Sequence, residues 1–182
     1  MILLLGNSDL AHEIQRQLQE FSVIVGRPDY DFSCQESCNR VIQNYQPDVV
    51  INTMALNEHH NPWSVLTVNF VSVAYITLGF YDKMTQGHII NISSTSTYWV
   101  SYPGIPTGRL VYNISKDSLS QFGKYFNRKI VDQDHNVAVS TIELGAFPSR
   151  FNNHQGQMTL QRAAEVVVDC IYKPRTAISI IK

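Results

Sequence analysis

Cysteine is scarce in this 182-residue chain, with only Cys34, Cys38 and Cys170. An odd number without paired spacing excludes both a disulfide framework and a zinc ribbon. Cys34 and Cys38 read instead as small apolar residues on one helix face. An excess of charge of either sign is also missing. Fourteen Lys and Arg against fifteen Asp and Glu leave a net charge of -1, with no basic footprint for nucleic acid or an anionic membrane. The opening Met1-Ile2-Leu3-Leu4-Leu5 has no basic leader and no small-residue cleavage site, and no later run reads as long enough to span a bilayer. A cytoplasmic location is the expectation, with neither nucleic acid nor membrane as partner. Repeats, low-complexity tracts and linkers are absent too. At 44% hydrophobic and 16% charged residues, the composition is that of one globular domain over residues 1–182.

What is present is an alternation of apolar runs. Ile2 to Leu5 ends at Gly6, and Leu10, Ala11, Ile14, Leu18 and Phe21 follow at helical spacing, which predicts strand, tight turn and helix. Val23 to Val25 is a second strand, stopped by Gly26 and Pro28. Ser33 with Glu36 forms a capping-box pattern for a helix over about 33–45, ended by Pro47. Val49 to Thr53 is the next strand, and Asn61-Pro62 opens a long apolar helix to about Tyr81. Ile89 to Ile92 is a strand running into Ser93-Ser94-Thr95-Ser96-Thr97. Tyr98 to Arg109 is loop-like. Ser115, Leu119, Phe122 and Phe126 then make one helical stripe, with Tyr112 near its start. Val137 to Leu144, a helix capped by Thr159, and a strand over 177–181 complete the chain. This order predicts an α/β fold, a Rossmann-like doubly wound parallel β-sheet with helices on both faces.

In such a sheet the first strand-to-helix turn can hold a pyrophosphate with backbone N–H groups and the helix N-terminus. Here it is Gly6-Asn7-Ser8-Asp9-Leu10-Ala11, a degraded G-x-G-x-x-G/A with Ser8 and Ala11 in place of two glycines. Gly6, Asn7, Ser8, Leu10 and Ala11 are therefore candidate cofactor contacts. Arg27, after the second strand, suits a ribose 2′-phosphate and tilts the choice towards NADP, while Asp29 keeps NAD open. Tyr112 and Lys116 lie one helical turn apart. A cation so placed favours the phenolate, letting a tyrosine exchange protons near neutrality. Tyr125 and Lys129 share the spacing but lie about three turns further from the sheet's carboxyl edge. Glu58-His59-His60 has too few converging ligands for a metal. Asn91-Ile92-Ser93 and Asn113-Ile114-Ser115 match a glycosylation acceptor only formally.

Taken in order, the Gly6 turn, Asp31-Phe32 after the second strand, Asn52-Thr53-Met54-Ala55 after the family's fourth, Val68-Asn69-Phe70, Ile90 to Ser94, Tyr112 to Lys116 and Leu144-Gly145 make the chain resemble the short-chain dehydrogenase/reductase family over nearly its whole length. The stretch from Asp31-Phe32 through Gln46 to Asn52 looks more like the dTDP-dehydrorhamnose reductase branch. The resemblance implies catalytic roles for four residues. Tyr112 would exchange the proton, Ser94 would hold the substrate oxygen, Lys116 would bind the nicotinamide ribose and depress the tyrosine pKa, and Asn69 would anchor a water. Ser93 is the alternative to Ser94. It also implies cofactor contacts from Asp31, Phe32, Asn52, Thr53, Met54, Ala55 and Gly145.

The expected activity is an NADP-preferring oxidoreductase that moves a hydride between cofactor and a small-molecule carbonyl or alcohol. The alternatives are a nucleotide-sugar reductase or epimerase-like enzyme and a dinucleotide-sensing protein without turnover. A homodimer or homotetramer, pairing through the helices that begin near Asn61 and Tyr112, is expected. The brief segment after Gly145 predicts a shallow, open pocket, with Tyr98, Trp99, Tyr102 and Phe147 as candidate aromatics at its mouth.

Overall fold

The computed structural model describes residues 1–18, 20–57, 61–96, 107–130, 136–173 and 178–181. Six strands, β1 (Ile2–Leu5), β2 (Ser22–Val25), β3 (Val49–Asn52), β4 (Gln86–Ser94), β5 (Asn136–Leu144) and β6 (Ile178–Ile181), form one sheet in the order 2-1-3-4-5-6. Every neighbouring pair is parallel. All carboxyl ends therefore share one edge. After β1 the chain moves outward to β2 and returns on the other side of β1 to β3, so the strand order reverses there, where open α/β sheets bind ligands.

Strand alternation divides the core into two layers. Leu3 and Leu5 pack with Val41, Ile76 and Phe80 on the face covered by α2 (Gln35–Asn44), α4 (Ser72–Lys83) and α5 (Thr107–Ile130). Ile2 and Leu4 pack with Ile14, Ala163 and Val167 on the face of α1 (Asp9–Gln17) and α6 (Leu160–Tyr172). Burial on both sides explains why β1 is apolar at every position instead of alternating.

Local signals held where the bond closing the element is itself local. Asn61 accepts from Ser64 N at 3.1 Å to cap α3 (Pro62–Leu66), and Thr159 accepts from Arg162 N at 3.1 Å to cap α6. The capping box at Ser33 does not form. Its hydroxyl donates to Asp31 Oδ1 at 2.8 Å, so α2 starts at Gln35 with Cys34 at its N-cap and no side-chain cap. Cys34 is consequently exposed while Cys38 is buried.

The helix expected from Asn61 to Tyr81 is interrupted. Between α3 and α4, Thr67–Val71 widens into a π-helical turn, a distortion that often accompanies a functional residue. Asn69 lies within it. The helical stretch Pro62–Lys83 is 22 residues long and apolar enough to cross a bilayer by length and composition, contrary to the sequence reading. Its inner residues Val65, Val73, Ile76 and Phe80 are packed into the domain. Part of the expected loop before Tyr112 is also helical. α5 begins at Thr107, so Tyr112 sits in its second turn. Glu58, His59, His60, Tyr98, Trp99 and Tyr102 lie outside the described residues.

Close packing of α5 on the sheet depends on Gly123, because a Cβ there would lie 2.2 Å from Thr141 Oγ1. Gly123→Ala should destabilise the chain by about 1–3 kcal/mol in urea unfolding. Adding Thr141→Ala should recover part of that loss, and strict additivity would refute the contact as its cause.

Candidate functional site

The carboxyl edge of β1 turns at Gly6, where φ is +110° and a Cβ would come within 3.0 Å of Met54 N and Thr53 Oγ1. Only glycine suits such a turn. Ser8 then caps α1, its Oγ accepting from Ala11 N at 3.1 Å, and it hydrogen-bonds Thr53 Oγ1 at 3.1 Å. Thr53 in turn donates to Leu5 O at 3.0 Å. Asn7 donates from Nδ2 to Arg27 O at 3.2 Å, joining this turn to the one after β2. At Gly26 a Cβ would lie 2.8 Å from Asn7 N.

Ser93 and Ser94 end β4 with side chains on opposite sides. Ser93 is buried, donating to Lys116 O at 2.8 Å and accepting from Ser120 Oγ at 2.8 Å. Ser94 instead faces the cavity near the Tyr112 phenol, whose pKa its hydroxyl acts to lower. Its Oγ also accepts from Ser96 N at 3.1 Å. Lys116, 2% exposed, donates from Nζ to Ile92 O at 2.8 Å and Met54 O at 3.4 Å.

Burial moves these two groups in opposite directions, because it penalises whichever form is charged. The Tyr112 phenol is pushed up to about 12 by burial, against the lowering effects of the Ser94 hydrogen bond and the Arg109 charge. The Lys116 ammonium is lowered to about 8 by burial. The expected depression of Tyr112 by Lys116 is therefore not the arrangement found, and at neutral pH the phenol keeps its proton.

Asn69 is fully buried. Its Nδ2 donates to Leu56 O at 2.9 Å and Ser115 Oγ at 3.1 Å, and its Oδ1 accepts from Leu56 N at 2.7 Å. Ser115 Oγ donates onward to Tyr112 O at 2.7 Å. Both amide hydrogens of Asn69 are committed to protein acceptors. The side chain thus works as a positioning group between the loop after β3 and the Tyr112 turn, rather than as a donor to a water.

These elements enclose a cavity of about 560 Å³, a size suited to a small ligand. Of the residues singled out in the sequence, Asn7, Ser8 and Leu10 line its α1 end, Thr53 and Ala55 the β3 side, and Ser93, Ser94, Tyr112, Lys116, Gly145 and Phe147 the remainder. Gly6 and Ala11 lie behind the lining as turn and core. Asn52 donates to Asn91 Oδ1 at 2.6 Å inside the sheet, and Met54 is in the core with only its carbonyl used by Lys116. Phe32 is a core residue whose carbonyl accepts from Ser72 Oγ at 2.6 Å. Arg27 lies outside the lining, with Nη2 at 3.2 Å from both carboxylate oxygens of Asp31. Among the described residues no cluster of ligating side chains suits a metal, and Tyr125 is exposed, away from the cavity.

Several lining residues carry no local signal. Arg150 reaches Asp9, the Phe151 ring lies 5.3 Å from that of Tyr112, and Asn57, Ser96 and Asn113 also face this space. Residues 146–158, though few, fold back on themselves. Gln157 N and Met158 N donate to Ala146 O at 3.0 and 3.1 Å, and Gly156 packs where a Cβ would lie 2.5 Å from Phe147 Cα. The pocket expected to be shallow and open is thereby covered on one side.

The sequence matches no protein-family model and no curated protein. The fold is nevertheless shared with solved structures. A short-chain dehydrogenase from Burkholderia cenocepacia J2315, in complex with NADP, is similar at TM-score 0.81 and 12% identity, over 100% of this chain and 95% of that one. A short-chain dehydrogenase/reductase from Vibrio parahaemolyticus is similar at TM-score 0.80 and 11% identity, over 100% and 98%. Salutaridine reductase from Papaver somniferum is similar at TM-score 0.77 and 13% identity, over 100% and 99%. At such identities the likeness is one of fold, and the chain has the Rossmann-like fold of the short-chain dehydrogenase/reductases.

The buried ammonium predicts a pH dependence. Folded, Lys116 titrates near 8, whereas in the unfolded chain it returns to the ordinary 10.5. Between these values only the unfolded chain holds the proton, so this contribution to stability grows as pH rises through the window and is absent below it. Relative to Lys116→Met, the wild-type chain should gain about 3 kcal/mol between pH 7 and pH 11 in urea unfolding. A difference that stays flat with pH would contradict the burial of a charged lysine.

Proposed function

We propose that this chain, with the fold of the short-chain dehydrogenases, is an NADP-preferring oxidoreductase that interconverts a carbonyl and a hydroxyl on a small molecule. The observation carrying this reading is the Tyr112 phenol, placed where the Ser94 hydroxyl lowers its pKa, at a cavity that Ser94 and Lys116 also line. The site fits a nicotinamide dinucleotide. The Gly6 turn has no room for a side chain, the N-terminus of α1 faces the cavity, and Lys116 has one N–H beyond the two directed at carbonyls. Bound there, the nicotinamide would supply or accept the hydride.

The chain's own residues do the rest. Tyr112 is protonated at neutral pH, so it is set to donate a proton to a carbonyl oxygen as that oxygen gains charge, which favours reduction. Ser94 holds the same oxygen by hydrogen bonding. The third N–H of Lys116 is available to a ribose hydroxyl, and Asn69 fixes the loop and helix between which these groups stand. NADP is favoured because known proteins of this fold have been solved with NADP or NADPH and because Arg27 follows β2, where a 2′-phosphate would lie.

The partner expected in solution is a second copy of the chain. Trp63, Val71, Tyr75 and Leu78 on the α3 to α4 stretch, with Leu110 and Ile114 on α5, expose apolar surface on neighbouring helices.

Three measurements test these readings. Calorimetry should show NADPH binding at least about tenfold more tightly than NADH. In a screen of aldehydes and ketones followed by loss of NADPH absorbance, Tyr112→Phe should lower turnover at least about a hundredfold and leave NADPH affinity nearly unchanged. Binding with no turnover on any carbonyl would favour the dinucleotide-sensing alternative. Sedimentation at micromolar concentration should give a dimer or tetramer that Trp63→Glu with Ile114→Glu dissociates. A wild-type monomer would refute the pairing.

A further inference from the structure

At the α1 end of the cavity two opposite charges meet across the chain. Arg150 donates from its backbone N to Asp9 Oδ2 at 2.7 Å and from Nε to Asp9 Oδ1 at 2.6 Å. Asp9 is the first residue of α1, directly after the Ser8 cap. Arg150 opens a single 3-10 turn, Arg150–Asn152, in the segment that covers the cleft. Both residues line the cavity. The Asp9 carboxyl, which burial alone would push up, is held below its ordinary value by the hydrogen bonds and charge of Arg150.

The place is unusual for a carboxylate if the cleft takes a dinucleotide. The unpaired N–H groups of a helix N-terminus stabilise an anion, and in this sheet type that anion is the pyrophosphate. Here a protein carboxylate already stands beside them. An arriving pyrophosphate would meet its charge unless a cation intervened. Lys116 is held below by two carbonyls, and Arg109 lies by Tyr112. Arg150 is the cation already at the α1 end, and its side chain is 67% exposed. A guanidinium fork fits a carboxylate and a phosphate alike.

We propose that Arg150 is a shared guanidinium, held by Asp9 and transferred to the dinucleotide's pyrophosphate on binding, so that Asp9 competes with the cofactor for it. The inference rests on the cofactor reading above and adds to it a binding residue and an internal competitor. Asp9 keeps the covering segment docked while no phosphate is present. The cofactor takes over the same cation when it arrives, and the carboxylate left behind limits its affinity.

Calorimetry with NADPH on the full chain and on three variants tests this. Arg150→Gln should weaken NADPH binding about tenfold and Arg150→Lys by less, since the charge remains but the fork is lost. Asp9→Asn should tighten binding several-fold. The opposite signs are decisive, because a merely structural ion pair would be broken equally by Asp9→Asn and Arg150→Gln and would move the affinity in one direction. A second readout needs no cofactor chemistry. Trypsin should cut after Arg150 several-fold faster in cofactor-free Asp9→Asn than in the wild type, and NADPH should suppress the cut. If NADPH binds the wild type and Arg150→Gln equally well, the proposal fails while the cofactor reading stands. If NADPH binds no variant and not the wild type, both fall.

Discussion

The Lys116 ammonium lies inside the protein with its charge borne by backbone carbonyls, and much of the site hangs from that contact. Its head group reaches Ile92 O at the end of β4 and Met54 O just past β3, while its own carbonyl accepts from Ser93. One residue thus ties α5 to two strand ends through both its ends. That fixes the turn carrying Tyr112, four residues earlier, against Ser94. The same low-polarity surroundings that lower the lysine raise the phenol. Burial thus keeps the phenol protonated at neutral pH without any direct ion pairing between the two groups.

Buried polar groups are tied together behind the site. Behind it, Asn69 is bonded on all sides to Leu56 and Ser115, and Asn91 Oδ1 accepts from both Asn52 and Thr77 between sheet and helix. These buried networks make the scaffold specific and rigid. Asn52 Oδ1 and Asn91 Nδ2 in this network, like Asn57 Oδ1, Ser96 Oγ and Asn113 Oδ1 of residues that line the cavity, are buried without a partner among the described residues.

Charge at the mouth follows a related logic. Arg27 with Asp31 and Arg150 with Asp9 place each candidate phosphate-binding cation beside a carboxylate of the chain. Both pairs are partly exposed, so their contribution to stability is small. Their consequence is for affinity, since each guanidinium has an internal competitor for any anion that enters.

Much of the fold was legible in the sequence because its determinants are local. The apolar run of β1, the Gly6 turn, and the caps Asn61 and Thr159 each show as a pattern of a few adjacent residues, and the alternation of strands and helices leaves one parallel topology as the natural outcome. Tyr112, Lys116 and Ser94 were legible as candidates by spacing and order. The rest was not, because it depends on groups distant in sequence or on competition between neighbours. Ser33 matched a capping pattern but gave its hydroxyl to Asp31. The π-helical turn at Asn69 looks like uninterrupted helix in an apolar run. Arg150 and Asp9 are 141 residues apart, and the pKa directions of Tyr112 and Lys116 follow from burial that periodicity cannot assign. Periodic burial and short-range hydrogen bonds thus determined from sequence alone which elements form and where the cleft opens. Which side chains meet in that cleft, and with what charge, was decided only when the tertiary structure brought remote groups together in a medium of low polarity.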